Sequence, residues 1–174
     1  SAVYLEKPTA TEFMEEWLSL AKSGSGERGI FNRGSMVYQM PKRRWDKMPE
    51  EDRRIVGTNP CGEITLRSKQ FCNLTEIIAR PEDTEKTLLQ KARWASMLGT
   101  YQSTLTNFKY LSAEWKKNCE EERLLGVSVT GEWDSDTFRT PKMMEKMREE
   151  SIKTNEEYAK RFKINKSTSV TCVK

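Results

Sequence analysis

Two cysteines eleven positions apart sit in the runs Thr58-Asn59-Pro60-Cys61-Gly62-Glu63-Ile64 and Phe71-Cys72-Asn73-Leu74. The first run sets an amide, a thiol and a carboxylate at alternate positions, and the second thiol follows closely. In an extended segment alternate residues share a face, so Asn59, Cys61 and Glu63 are expected to present their groups to one substrate. A hydrolytic thiol enzyme needs a base to deprotonate its nucleophile, and the chain contains no histidine. A sulfur that works by losing a hydrogen atom needs no such base. A thiyl radical abstracting hydrogen from carbon requires a water-poor pocket, an amide to hold the substrate, a carboxylate to take a hydroxyl proton, and a nearby thiol as reductant. Asn59, Cys61, Glu63 and Cys72 are those kinds of group. The competing reading makes Asn59-Pro60 and Gly62 a turn with Cys61 and Cys72 packed inside it.

The totals bound what surrounds this loop. A chain of 174 residues supports one domain with a real core, here taken as a single unit over 1–174. Hydrophobic residues make up 36% and charged residues 32%, the balance of a soluble globular protein. No run approaches eighteen apolar residues, and the first residues carry no signal-peptide pattern, so neither a membrane nor export is expected. The net charge of +4 comes from interleaved signs, too mild to argue for nucleic acid. The local exception, Lys42-Arg43-Arg44-Trp45, reads as a solvated loop because Glu50, Glu51 and Asp52 follow. The four cysteines lack the paired spacing of a zinc ribbon, so no metal is expected. Thiols without an export signal point to a reducing, cytoplasmic setting, with Cys119 and Cys172 buried or incidental.

The elements that must carry the loop follow from periodicity and punctuation. Thr9-Ala10-Thr11-Glu12 is a capping box ahead of Phe13, Trp17, Leu20 and Ala21 on one helical face, and Ser23-Gly24 ends that helix. Gly29-Ile30-Phe31-Asn32 suggests a strand edge, followed by a polar connection to Arg54. A strand is expected over 74–78 and a long helix from Asp83 or Thr84 to near Phe108, with Leu88, Ala92, Ala95 and Gly99 as its seam. The β-branched run 123–131 reads as a buried strand. Thr140-Pro141 opens a second long helix through Met144, Met147, Ile152, Tyr158, Ala159 and Phe162, and a last strand spans 169–173. Strands alternating with long helices give an α/β layer with largely parallel strands.

Asn-Pro-Cys-Gly-Glu-Ile at 59–64 resembles the active-site loop of ribonucleotide reductase large subunits. The surrounding strings Ser23-Gly24-Ser25-Gly26-Glu27-Arg28-Gly29-Ile30-Phe31-Asn32-Arg33, Phe71-Cys72-Asn73-Leu74-Thr75-Glu76, 99–106 and 120–131 are similar, in order, to the adenosylcobalamin-dependent ribonucleoside-triphosphate reductases. The resemblance implies a ten-stranded α/β barrel with a finger loop through its middle, of which this chain holds about half. It implies Cys61 as the thiyl radical acting at C3′ of the ribose, Glu63 as base at the 3′-hydroxyl, Asn59 as a substrate hydrogen-bonding group and Cys72 as one of two reducing thiols. A ribonucleoside triphosphate, adenosylcobalamin, a thioredoxin-like reductant and the remainder of the reductase chain are the implied ligands and partners.

The same resemblance puts the second redox cysteine before the start of this chain and a phosphate-binding Pro-Ser-Gly-Thr segment beyond Lys174, and neither Cys119 nor Cys172 takes the missing thiol's place. No turnover is therefore expected of this polypeptide alone, and its inner strands are expected to expose apolar surface that favours association. Two other readings stand beside this one: a subunit whose radical comes from a separate metalloprotein, and a noncatalytic scaffold or binding fragment. A nucleic-acid module built on Lys42, Arg43, Arg44 and Trp45 lacks interleaved aromatic platforms.

Overall fold

Thr9 opens the first helix by a reciprocal cap: its Oγ1 accepts from Glu12 N–H at 3.3 Å, and its own N–H donates to Glu12 Oε2 at 2.9 Å. The computed structural model describes residues 4–26 and 29–171, in two compact units, Ser1–Ser68 and Lys69–Lys174. In the first unit α1 (Ala10–Ser23) ends at Gly24, whose φ of 60° is the left-handed conformation that glycine adopts without a Cβ penalty. No residue of α1 is buried, and Phe13 stacks on Trp17 along its side at 6.3 Å between ring centroids.

The strand edge expected at 29–32 is not formed. Asn32 instead spends its side chain accepting from Gly34 N–H at 3.1 Å, which starts a 3₁₀ turn at Arg33–Ser35. The expected polar connection is helical: α2 (Met36–Gln39), α3 (Lys42–Trp45) and α4 (Glu50–Ile55), with Pro41 and Pro49 at the N-caps of the last two. Met36, Met40, Met48 and Val56 form the small core beneath them, with Trp45 against it. The basic run is therefore a helical turn rather than a solvated loop. Arg44 is buried, Lys42 pairs with Asp46 at 2.9 Å, and the Arg53 guanidinium lies 5.3 Å from the Trp45 ring centre. Beyond Val56 come β1 (Gly57–Thr58) and β2 (Thr65–Leu66), antiparallel, with Gly57 opposite Leu66 and Thr58 opposite Thr65.

The second unit has the alternating order that the sequence predicts. β3 (Asn73–Ile78) leads through α5 (Glu85–Gln102) and α6 (Ala113–Glu122) to β4 (Leu125–Thr130), and α7 (Pro141–Phe162) leads on to β5 (Val170–Thr171). The strands pair in parallel in the order β3-β4-β5, with Asn73 opposite Leu125 and Ile78 opposite Thr130. Ile77, Leu125, Val127 and Val129 meet Leu88, Ala92 and Ala95 of α5 and Met143 and Met147 of α7 in one core. The expected end of the last strand, with Cys172, lies outside the described residues.

Two features depart from the expected elements. α5 stops at Gln102 rather than near Phe108, because Thr100 and Ser103 turn their hydroxyls back onto the carbonyls of Ser96 and Thr100, at 2.6 and 2.7 Å. α6 has no apolar stripe to announce it. Its buried face is largely polar: Gln70 Nε2 donates to Glu122 Oε2 at 2.6 Å and to the Asn118 carbonyl at 3.2 Å. A second buried polar link joins the helices to the connection ahead of the last strand, with Asn155 Nδ2 donating to Thr100 Oγ1 and Asn155 Oδ1 accepting from Ser167 N–H, both at 2.9 Å.

Asp83 fastens the end of β3 to the start of α5. Its carboxylate accepts from Arg80 N–H and from Thr87 Oγ1, each at 2.8 Å, and pairs with Lys91, whose ammonium also donates to the Ile78 carbonyl at 2.8 Å. Burial by itself would raise the Asp83 pKa, but the bonds from Lys91, Thr87 and Arg80 outweigh it and hold the group below the ordinary aspartate value. A folded-state pKa below the unfolded one contributes stability that is present above the unfolded value and lost as pH falls through the folded one. Asp83→Ala is expected to cost about 1–3 kcal/mol at neutral pH. Urea unfolding from pH 7 into the acid range should show a shallower loss of stability for Asp83→Asn than for the parent; identical slopes would remove the junction as the cause.

Candidate functional site

The residues between β1 and β2 are not extended. Asn59 N–H donates to the Ile64 carbonyl at 3.1 Å and Gly62 N–H to the Asn59 carbonyl at 3.0 Å, so 59–64 is a closed loop. Asn59 also bridges the loop with its side chain, Oδ1 accepting from Ile64 N–H at 3.0 Å. Gly62 has a φ of 85°, which a side chain would strain, and Ile64 is buried and anchors the returning arm. The alternation argument therefore fails for a local reason: Asn-Pro followed by Gly two residues on makes a turn, and a turn has no period of two.

What results is a hairpin with the thiol at its tip. Cys61 is exposed, rather than packed inside the turn. Glu63 is half-buried, with its Oε2 shielded from solvent. Asn59 has committed its carbonyl oxygen to the loop, which leaves the side-chain amide nitrogen as its remaining donor. The arms that set the hairpin's base are held to the rest of the first unit. Arg33 Nε donates to the Val56 carbonyl at 2.9 Å, and Arg67 pairs with Asp52 at 2.8 Å with both side chains nearly buried. The turn that the competing reading placed at Asn59-Pro60 and Gly62 is formed, without Cys61 packed inside it; sequence reasoning missed the two arginines, whose partners lie far along the chain.

Asn59, Cys61 and Glu63 thus fall in one six-residue loop of the first unit. Cys72 belongs to the second unit, where it immediately precedes β3 and is half-buried. Cys119 is buried in α6, and burial pushes its thiol above the ordinary cysteine range, against the opposing pull of a backbone hydrogen bond at Phe71. Among the described residues no group of three or more His, Cys, Asp or Glu side chains could hold a metal ion, and no helix is long and apolar enough to cross a membrane.

Comparison with known proteins finds partial similarity to one kind of enzyme. The chain is 30% identical over 118 residues to an adenosylcobalamin-dependent ribonucleoside-triphosphate reductase of Levilactobacillus brevis, a match covering 66% of this chain and 15% of that protein. A reductase of the same description from Lactobacillus helveticus is 33% identical over 81 residues, covering 46% of this chain and 10% of the relative. That of Lactobacillus leichmannii is 24% identical over 152 residues, covering 71% and 20%. In these matches the chain spans between 10% and 20% of the relatives' length. No protein-family model matches the chain, and no solved structure does.

The loop geometry makes two measurable statements. Asn59→Ala is expected to remove protection from the Ile64 amide in hydrogen exchange and to destabilise the first unit by about 1 kcal/mol, while Asn59→Asp keeps the acceptor and most of the protection. Retained protection in Asn59→Ala would show that the backbone bonds alone close the loop. In timed iodoacetamide labelling read by mass spectrometry, Cys61 should react first, Cys72 more slowly, and Cys119 only once the fold is loosened with denaturant. Labelling of Cys119 as fast as Cys61 in the native chain would contradict the burial of α6.

Proposed function

We propose that this chain carries the radical-bearing loop of a ribonucleotide reductase, in a part of that enzyme's α/β barrel, and acts in converting ribonucleoside triphosphates to deoxyribonucleoside triphosphates. The observation that carries the reading is the closed Asn59–Ile64 loop that holds the Cys61 sulfur at the exposed tip of a hairpin, where it can meet a reactant. The partial similarity to named reductases supports the reaction class.

Each residue then has a chemical task. Cys61, as thiyl, takes the hydrogen atom from C3′ of the ribose, which restores the S–H bond and leaves the radical on the substrate carbon. Glu63 accepts the proton of the 3′-hydroxyl, and its half-buried position strengthens that hydrogen bond relative to one made in water. Asn59 donates from its amide nitrogen to a substrate hydroxyl while its oxygen keeps the loop shut. Cys72 is one of two thiols that supply reducing equivalents and end as a disulfide, which a thioredoxin-like dithiol protein resets. The second thiol and the phosphate-binding segment would come from other parts of a reductase.

Adenosylcobalamin, bound in a complete reductase, would supply a hydrogen-atom acceptor for the Cys61 thiol. The corrin ring carries its own cobalt and needs no protein metal cluster; what the described residues would offer to such a cofactor is the exposed Cys61 thiol. Most of the cofactor's contacts are assigned, by the family resemblance, outside this chain, and no step is derived through them.

The test places the chain in a working context. The matched stretch of the Levilactobacillus brevis reductase is replaced by its counterpart here, folding is checked by circular dichroism, and deoxynucleoside triphosphate formation is measured with adenosylcobalamin and a dithiol. Activity is expected, with Cys61→Ser lowering it by at least about 10³-fold and Glu63→Gln by roughly 10²–10⁴-fold. A folded chimaera that is equally active with serine at position 61 would sink the proposal.

A further inference from the structure

The residues on both sides of Cys72 are bonded to α6 or to its exit. Lys69 takes a φ of 53°, a left-handed turn that residues other than glycine rarely adopt, and it forms an ion pair with Glu114 in the first turn of α6. That turn delivers Gln70 to the buried side of α6, where its Nε2 donates to Glu122 Oε2 at 2.6 Å and to the Asn118 carbonyl at 3.2 Å. The Phe71 ring lies 6.4 Å from that of Trp115, and the Phe71 backbone gives a hydrogen bond to the Cys119 sulfur. Beyond Cys72, Asn73 N–H and Nδ2 both donate to the Leu124 carbonyl, just past the end of α6, at 2.8 and 3.1 Å.

An apolar face would seat α6 on this segment at a lower desolvation cost than a carboxylate and two amides. What the polar bonds add is direction, because a donor and its acceptor hold one register where apolar side chains tolerate sliding. The helix is itself fixed on its other sides. Thr106 Oγ1 donates to Glu120 Oε1 at 2.6 Å, Asn165 Nδ2 to the Glu120 carbonyl at 3.1 Å and Thr168 N–H to the Glu122 carbonyl at 2.9 Å. With Gln70 and Asn73 both held, Cys72, half-buried between them, has little room to shift.

We propose that α6 is the positioning element for the Cys72 sulfur, and that Gln70 and Glu122 are positioning residues that act on the reaction only through it. This role rests on the reading of Cys72 as one of two reducing thiols, and it states what that task demands of the fold. In the reducing step two S–H bonds are lost and one S–S bond forms. The two electrons and two protons pass to the ribonucleotide, which releases a hydroxyl as water. The S–S bond closes only at about 2.0 Å between the sulfurs and roughly 4.4–6.8 Å between their Cα atoms. A thiol that meets its partner from another part of the protein therefore has to stand at a fixed place. A connecting segment ahead of a strand does not hold such a place alone, whereas a helix bonded to it on both sides of the thiol does.

In timed iodoacetamide labelling of the full chain, Glu122→Leu is expected to speed modification of Cys72 at least about tenfold, while Cys61 keeps its rate and Cys119 stays protected. Glu122→Gln, which keeps an acceptor for Gln70, should return Cys72 to within about threefold of the parent. Gln70→Ala serves in place of Glu122→Leu if that variant does not fold. In the reductase chimaera, extended where needed to include 69–124, Glu122→Leu should lower kcat by roughly 10–10²-fold and leave the nucleotide KM within about twofold, because a displaced thiol impairs the reducing step and not substrate binding. Cys72 rates indifferent to both substitutions, Cys119 becoming reactive in step with Cys72, or an active chimaera with unchanged kcat would each overturn the proposal. A folded parent chimaera without activity counts against the reductase reading instead, and the labelling rates of the chain itself still decide whether α6 holds the thiol.

Discussion

β4 has a strand on both edges and a helix layer on one face, and the second unit depends on how closely α5 can settle onto it. The contact point is Gly99. A Cβ there would stand 2.3 Å from Leu125 Cδ1 and 3.3 Å from Thr75 Cγ2, so a larger residue would have to displace the end of the Leu125 side chain from its place under the helix. From that approach follow the burial of Leu88, Ala92 and Ala95 and the reach of Thr100 to Asn155 on α7. Gly131 repeats the constraint at the other end of β4, where an added Cβ would meet the Ala79 carbonyl oxygen at 2.4 Å. Parallel strands have no tight turn to register them, and these two glycines, with the Asp83 junction, do that work between distant pieces of chain.

The hairpin is held on another principle. Its two-residue strands cannot be stable by themselves, and no large core lies beneath them. It stands because Asn59 closes the loop from both backbone and side chain and because Ile64, Val56 and the Arg67–Asp52 pair anchor its arms. A loop determined this locally can present a reactive group without being reshaped by the core, which is what a positioned thiol needs.

The second unit was legible because its apolar residues keep the periods of the elements they form. The Thr84 and Thr140 caps, Pro141 in the first turn of α7 and the β-branched run of β4 each correspond to an element found. α6 was invisible because its buried face is Asn118, Cys119 and Glu122, and no hydropathy scale marks a buried glutamate whose partner is Gln70, far away in sequence. The 33–55 stretch was misread because Pro41 and Pro49 divide it into helices of four to six residues, too short to show an apolar period. At the candidate site the residue types were readable and their shape was not. Asn59 and Cys61 are where the motif puts them along the chain, but the alternation that seemed to align them gave way to the turn that Pro60 and Gly62 impose.

That replacement bears on the chemistry. An extended segment would turn three side chains to one substrate, whereas the closed loop lifts a single exposed sulfur and keeps the carboxylate lower, with part of it out of solvent. A carbon-centred radical survives only where water and stray hydrogen donors are kept away, and the exposed tip does not by itself supply that exclusion. On the proposed reading the substrate and surrounding reductase surfaces close over the tip. The hairpin's own part is then narrower and consistent with its construction: it sets where the sulfur stands, and leaves the enclosure of the reaction to what is laid over it.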